Sequence, residues 1–208
     1  SSGTLLADDP ADQFSIGGDW TIGVAGAHSD TLQGGLSADV SGALALGAQS
    51  GGAGTLTLSG LSSTLSVEGA TLAVGGGGTG SLHLADGASL SAFSASLTAG
   101  ASAGATGVIA LDGANSTLTI GHDLTLGDAG AGTIDVAARN TLVLGDGAFV
   151  LGAAAAGAVL LSIAGDGNSL TVAADATIGA AGSGSVDLQA GTTLDASSGN
   201  IVLGAQAH

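Results

Sequence analysis

The sequence predicts an all-β fold, a right-handed parallel β-helix or β-solenoid with about eight coils of roughly 26 residues and three strands per coil. Three observations support this prediction. Glycine-terminated segments recur at a fixed period, short alternating runs of apolar and polar residues fill each period, and the inward positions are apolar in every coil. We expect residues 1–12 to be a flexible lead-in or partial cap and residues 13–208 to form the parallel β-helix repeat domain.

The period is marked by glycines that close similar segments. One set of segments reads FSIGGDWTIG, LSVEGATLAVG, LTIGHDLTLG and LTVAADATIG, and its closing glycines lie 52 residues apart at Gly23, Gly75, Gly127 and Gly179. A second set lies between them and closes at Gly47, Gly100, Gly152 and Gly204. Interleaved, the eight glycines follow one another at steps of 24 to 28 residues. The long repeat therefore consists of two unequal coils.

Each coil contains three short runs with the two-residue alternation of a β-strand. In one coil these runs are TLTI at 117–120, DLTL at 123–126 and GTIDV at 132–136, and turns rich in Gly, Asp and Ala separate them. No window has the apolar spacing and the capping residues that a helix requires. The uncharged stretch 148–165 has the length of a membrane span, but it fits the repeat and is predicted to form two buried strands.

The alignment of coils places apolar residues at two inward positions of the first strand. The first position holds Phe14, Leu36, Leu65, Leu90, Leu118, Leu142, Leu170 and Leu194. The second position holds Ile16, Ala38, Val67, Ala92, Ile120, Leu144, Val172 and Ala196. The residues between them are mostly Ser or Thr, as an outward face requires. We therefore expect two continuous apolar ladders along the solenoid axis.

The charge of the chain restricts its partners. Seventeen acidic residues stand against a single basic one, Arg139, which gives a formal net charge of −16. Nucleic acids and anionic lipid surfaces both bind through Lys and Arg, so we expect no nucleic-acid partner and no membrane insertion by this segment. The absence of Cys excludes disulfides and thiolate metal sites.

We predict no catalytic residue, no metal site and no cofactor. Asp19, Asp123 and Asp175 recur at the same turn, but equivalent positions in alternate coils lie about 10 Å apart, which is too far to share one calcium ion. Asp also favours turns by bonding to nearby backbone. The histidines share no ligand spacing: His28, His83, His122 and His208. His83 and Asp135 lie two coils apart and cannot form a catalytic pair.

Residues 112–136 carry the most regular form of the repeat, DGANSTLTIGHDLTLGDAGAGTIDV. The phrase D-G-x-x-S-T-L, then G-x-L-T-x-G, then G-x-G-T, recurs over residues 13–204 and resembles the glycine-rich repeats of type V secretion autotransporter passengers. Similar repeats occur in exosortase-sorted bacterial surface proteins. The resemblance implies an extracellular domain at the bacterial cell surface, anchored to the outer membrane or released, with a C-terminal translocator barrel in the full-length protein. Because a regular repeat runs up to the last residues, we expect the natural chain to continue beyond His208.

Two non-catalytic functions are compatible with these observations. The domain is either an adhesin stalk that holds a distal tip away from the cell or a module that itself adheres, to its own copies or to a host-surface or glycan ligand. The outward positions of the middle strand form an uncharged strip that is a candidate contact surface: Thr21, Ala45, Ala73, Thr98, Thr125, Val150, Thr177 and Val202. The alternative is a lyase-like β-helix enzyme that acts on polysaccharide. The near absence of Lys and Arg disfavours it, because acidic sugars need cationic partners.

Overall fold

The structure, a computed structural model, describes residues 3–9, 13–137, 139–155, 157–189 and 191–204. These residues form 24 β-strands, and none of them lies in a helix. The strands make three sheets of eight, and the pairing within each sheet is parallel. The predicted parallel β-solenoid with three strands per coil is therefore confirmed.

The chain visits the three sheets in turn, and we name them A, B and C. Sheet A contains β1 (Gly3–Ala7), β4 (Ala27–Gln33), β7 (Ala53–Ser59), β10 (Thr79–Ala85), β13 (Thr106–Asp112), β16 (Ala131–Val136), β19 (Ala158–Ile163) and β22 (Ser183–Leu188). Sheet B contains β2 (Gln13–Ile16), β5 (Ser37–Val40), β8 (Thr64–Val67), β11 (Ser89–Ala92), β14 (Thr117–Ile120), β17 (Thr141–Leu144), β20 (Ser169–Val172) and β23 (Thr193–Asp195). Sheet C contains β3 (Trp20–Ile22), β6 (Leu44–Leu46), β9 (Thr71–Val74), β12 (Ser96–Ala99), β15 (Leu124–Leu126), β18 (Phe149–Leu151), β21 (Ala176–Ile178) and β24 (Ile201–Leu203).

Two segments that the sequence singled out take part in the sheets. Within the predicted lead-in, residues 3–7 form β1 and pair with β4 along their whole length. The uncharged stretch 148–165 contains β18 and β19, as the repeat predicts. Among the described residues no helix has the length and hydrophobicity needed to cross a bilayer. Residues 1, 2, 10–12 and 205–208, which belong to the predicted lead-in and repeat domain, lie outside the described residues.

Alternation along each strand fills the interior with aliphatic side chains. In β14, Leu118 and Ile120 are buried, whereas Thr117 and Thr119 lie half-buried on the outer face. Burying one such aliphatic side chain contributes about 1.5–3 kcal/mol. Because the same positions are buried in successive coils, the core is a continuous column and needs no large aromatic centre.

The register of the second coil differs from the predicted ladder by two residues. The sequence alignment places Leu36 opposite Phe14. In the structure Phe14 pairs with Ala38, and Ile16 pairs with Val40. The predicted positions of Leu36 and Ala38 are therefore wrong. Their apolar alternation continues to Val40, and a shift of two residues leaves each side chain on the same face, so the pattern alone does not fix the register.

Leu36 instead begins a column that runs along the turn between sheets A and B. The column lies one residue before each sheet B strand from β5 onward and consists of Leu36, Ser63, Ala88, Ser116, Asn140, Asn168 and Thr192. All of these residues except Thr192 are buried. We call them the turn column.

Asn140 ties three successive coils together within the turn column. Its side-chain Oδ1 accepts a hydrogen bond from the backbone N–H of Ser116 at 2.8 Å, and its Nδ2 donates to the carbonyl oxygen of Leu111 at 2.9 Å. Its own backbone N–H donates to Oδ1 of Asn168 at 2.9 Å. The buried amide of Asn140 and the buried N–H of Ser116 are satisfied in this way, because neighbouring coils supply their partners.

The eight closing glycines share one backbone conformation. Each has a positive φ between 63° and 72°: Gly23, Gly47, Gly75, Gly100, Gly127, Gly152, Gly179 and Gly204. This left-handed region is unfavourable for residues with a Cβ atom. At Gly100 a Cβ would also collide with the backbone of Ala131, at the start of the next coil's sheet A strand. The regularly spaced glycines of the sequence therefore mark the corner between sheets C and A.

We predict that Gly100→Ala lowers the free energy of unfolding by about 2 kcal/mol or more, because it combines an unfavourable φ with a backbone collision. Chemical denaturation measures the change. Gly17→Ala is the control, because a Cβ at Gly17 meets nothing within 4 Å and its φ lies outside the left-handed region. We expect the control to change stability by less than about 0.5 kcal/mol. Equal effects at the two sites would contradict the proposed role of the corner glycines.

We predict that Asn140→Ala destabilises the protein by about 2–4 kcal/mol, because it leaves the buried N–H of Ser116 and the carbonyl of Leu111 without this partner. The matched control is Thr141→Val, which keeps the branched shape and changes only an outward hydroxyl of the next residue. Thermal and urea unfolding should show a change of less than about 0.5 kcal/mol for the control. A small effect of Asn140→Ala would mean that the turn column does not stabilise the coils.

Candidate contact surface

The structure brings all eight residues of the predicted contact strip into one column on the outer face of sheet C. Neighbouring members are direct partners in the strand register, from the Thr21 and Ala45 pair at one end to the Thr177 and Val202 pair at the other. The two end residues are exposed, and the six between them are half-buried because each shields its neighbours. The placement predicted for these residues is therefore correct, and their role in binding stays a prediction.

Acidic residues border this strip on one side. Asp19, Asp123 and Asp175 each lie one residue before a sheet C strand, on the same outer face as the strip. All three are exposed. The strip is thus a narrow uncharged column with carboxylates beside three of its eight coils.

These carboxylates make the same hydrogen bond in each of the three coils. Oδ1 of Asp19 accepts from the backbone N–H of Ala43 at 2.8 Å, and Oδ1 of Asp123 accepts from that of Ala148 at 2.8 Å. Oδ1 of Asp175 accepts both the backbone N–H and the side-chain Nδ2 of Asn200. Each bond joins one coil to the next, whereas the sequence predicted a bond to nearby backbone within the turn.

Sheet A carries the outward column that contains His83. In the register this column runs through Thr31, Thr57, His83, Ala110, Asp135, Ser162 and Asp187, and His83 and Asp135 lie two coils apart as predicted. His83 Nε2 lies 2.6 Å from Oδ2 of Asp112, a partner that the sequence did not suggest because it belongs to a neighbouring column. Both side chains lie open on a flat sheet, where such a pair adds little stability.

The other described histidines also lie next to aspartates. His28 Nε2 lies 3.1 Å from Oδ1 of Asp30, and the exposed His122 Nδ1 lies 3.6 Å from Oδ1 of Asp146. His208 lies outside the described residues. Across the described ranges no group of three or more His, Cys, Asp or Glu side chains is placed to hold a metal ion.

Asp30 is a buried acid that sequence reasoning missed. It occupies an inward position of β4 whose partner in β7 is Leu56, and it is only 2% exposed. Its Oδ1 accepts the backbone N–H of Leu5 at 2.9 Å, which joins β1 to β4. A signal for it was present in the sequence, because Asp30 interrupts the apolar alternation that the third strand shows in later coils.

The outer face of sheet B differs from the strip by its regular hydroxyl groups. One column contains Gln13, Ser37, Thr64, Ser89, Thr117, Thr141, Ser169 and Thr193. The hydroxyl of Thr64 donates to that of Ser37 at 3.2 Å. A second column includes Asp39 and Asp195, and the side chain and backbone N–H of Ser197 hold the pKa of Asp195 below its usual value. This face is more polar than the strip and offers a comparison for it.

We predict that millimolar calcium changes the melting temperature by less than about 5 °C. The regularly placed carboxylates of Asp19, Asp123 and Asp175 already accept backbone N–H groups, and each lies in a different coil. Differential scanning calorimetry with calcium, and with magnesium at equal ionic strength as control, measures the effect. A larger shift with calcium alone would reveal a cation site.

Comparison of the chain with protein-family models, with curated proteins and with solved structures finds no match in any of the three. The features available for assigning a function are therefore the repeat, the charge of the surface and the geometry of the three outer faces.

Proposed function

We propose that this chain is a non-catalytic passenger domain of a bacterial autotransporter, secreted to the cell surface, where it serves as an adhesin stalk that also self-associates through the sheet C strip. The observation that carries the proposal is the unbroken column of eight uncharged outward side chains along a regular solenoid. The repeat motif supports display at the cell surface, with a translocator barrel as the partner in export.

The stalk function is supported by the way in which the coils stack. Eight strand layers at about 4.8 Å each give a repeat domain roughly 38 Å long. Each interior strand has backbone partners on both sides, so the length is fixed by continuous hydrogen bonding. A stalk of this kind holds its two ends at a fixed distance from each other and needs no binding site of its own.

Self-association is supported by the distribution of charge. Two chains with a formal charge of −16 repel each other, so an uncharged surface is the least unfavourable place for close approach. The strip residues themselves carry no charge and have small side chains, and the carboxylates of Asp19, Asp123 and Asp175 lie at one border of the strip. The same surface suits an uncharged host-surface or glycan ligand.

A polysaccharide-acting enzyme is the alternative class, and two features favour the non-catalytic proposal over it. The only Arg, Arg139, is exposed in a turn between sheets A and B, where it takes a positive φ of 64°. One cation in such a turn is a poor match for the repeated carboxylates of an acidic polysaccharide. The His83 and Asp112 pair lies on an open sheet face, whereas catalysis usually requires a concave site.

We predict that Thr98→Asp combined with Val150→Asp reduces aggregation of cells that display the full-length protein. These strip residues lie two coils apart, and negative charges there would face each other between associated rods. Sedimentation of cell suspensions measures the change, and the purified domain should keep its melting temperature because both side chains point outward.

The matched control is Ser66→Asp combined with Thr119→Asp. These residues are also half-buried, lie two coils apart and point outward, but they belong to sheet B. We expect this variant to aggregate as the wild type does. If all three strains aggregate equally, the strip is not the contact surface and the domain acts as a stalk alone.

A further inference from the structure

Arg139 precedes the one peptide bond of this chain that its sequence offers to a trypsin-class protease. Such proteases bind a cationic side chain in a pocket and hydrolyse the bond that follows it. The whole sequence contains one Arg and no Lys. Arg139 is exposed in the turn between β16 and β17, whereas Asn140 is fully buried. The bond between them therefore joins an accessible side chain to a buried residue.

Hydrogen bonds to two neighbouring coils hold this bond on both sides. The carbonyl oxygen of Arg139 accepts the backbone N–H of Asn115 in the preceding coil at 2.8 Å. The N–H of Arg139 donates to the carbonyl oxygen of Asp166 in the following coil at 3.1 Å. The N–H of Asn140 donates to Oδ1 of Asn168, also in the following coil, at 2.9 Å. The carbonyl and the N–H of the bond are thus both occupied by partners within the solenoid.

The backbone conformation of Arg139 also differs from the one that these proteases accept. They hold the segment on both sides of the cleaved bond extended, and an extended residue has a negative φ. Arg139 has a φ of 64°. Its Cγ lies beside Gly167 in the following coil, 3.3 Å from the position that a Cβ on that glycine would take. Entry into a protease therefore requires this turn to separate from both neighbouring coils and to change its φ.

We propose that the Arg139–Asn140 bond is a latent cleavage site for trypsin-class proteases, and that the hydrogen bonds to neighbouring coils keep it closed in the folded solenoid. In the cleavage the bond between the carbonyl carbon of Arg139 and the nitrogen of Asn140 breaks, and water supplies a hydroxyl group to the carbon and a proton to the nitrogen. The fragments 1–139 and 140–208 then carry a new carboxylate and a new ammonium group. The proposal rests on the solenoid and is independent of the adhesive function.

The site separates intact copies of the protein from open ones. Proteolysis of a folded protein depends on how often the cleaved segment opens. Proteases of this class therefore spare a chain whose coils are stacked at this turn and cut one whose coils have separated there. The cut is permanent, because the new ammonium group forms at a position that the fold buries and a cut chain does not regain the closed turn.

Digestion of the full chain with trypsin tests the closure. A peptide of residues 134–145 serves as the unfolded reference in the same buffer, and mass spectrometry identifies the two fragments. We expect the native chain to be cut at least about a hundredfold more slowly than the peptide, because only the open form is a substrate. Equal rates would overturn the proposal.

A second turn provides the matched control for the hydrogen bonds. Phe93 is 68% exposed, and across the described residues no hydrogen bond joins its carbonyl or the N–H of Ser94 to another coil. Phe93→Arg combined with Arg139→Asn moves the only cation to this turn, and Asn tolerates the positive φ at position 139. Relative to a peptide of its own sequence, we expect the moved site to be cut at least about tenfold faster than the original one. Equal protection would overturn the proposal, because the compactness of the fold would then suffice.

Removal of one hydrogen bond distinguishes local opening from global unfolding. Asn168→Ala removes the oxygen that accepts the N–H of Asn140. Gly47→Ala destabilises the solenoid far from Arg139, through its φ of 63° and a collision with the backbone of Thr79. At urea concentrations that give both variants the same free energy of unfolding, Asn168→Ala should be cut at least about tenfold faster. Equal rates would mean that only global unfolding exposes the bond, and the proposed closure by these hydrogen bonds would be wrong.

Discussion

In-register hydrogen bonding between successive coils is the constraint on which the rest of this structure depends. A single coil of 24 to 28 residues has three short strands and no sheet of its own, so it gains both backbone partners and a buried face only from its neighbours. The apolar columns, the turn column and the corner glycines all follow from this stacking. Each is a one-dimensional series in which the same position is repeated at every layer.

Stacking also decides which residues are free to serve function. Inward positions mostly hold aliphatic side chains, with Asp30, Trp20 and Phe149 as exceptions. The corners after sheet C hold glycine, and the turn before sheet B holds residues that fill a buried column or form hydrogen bonds within it. The outward positions remain, and on each of the three sheets they form columns that follow the strand register. The outer surface of the solenoid therefore consists of such columns.

The sequence predicted the fold well because period and alternation are direct consequences of stacking. The eight glycines identified the corner, and the strip residues fell in one column because their spacing follows those glycines. The two-residue shift at Leu36 was not predictable from the alternation of apolar and polar residues, since such a shift leaves every side chain on the same face of the sheet. Asn140 and Asn168 were not predicted because they lie in turns outside the strand pattern, and their partners are divided between their own turn and the neighbouring coils. The His83 and Asp112 pair was missed for a similar reason, because side chains from adjacent columns met across the register.

The aspartate links join some neighbouring coils and not others, although all strand layers are equally spaced. Asp19, Asp123 and Asp175 each bind forward to the following coil, and the corresponding residue of that following coil is Ala43, Ala148 or Asn200, which has no carboxylate to pass the link onward. These aspartates therefore join three pairs of coils, and the third coil, where Ala70 takes the equivalent position, has no such link. The junctions between the pairs are bridged on the other side of the solenoid, where Ser63, Ser116 and Asn168 of the turn column accept backbone N–H groups from the preceding coil. These side-chain links between coils thus alternate between two turns, which is the physical counterpart of the 52-residue glycine spacing.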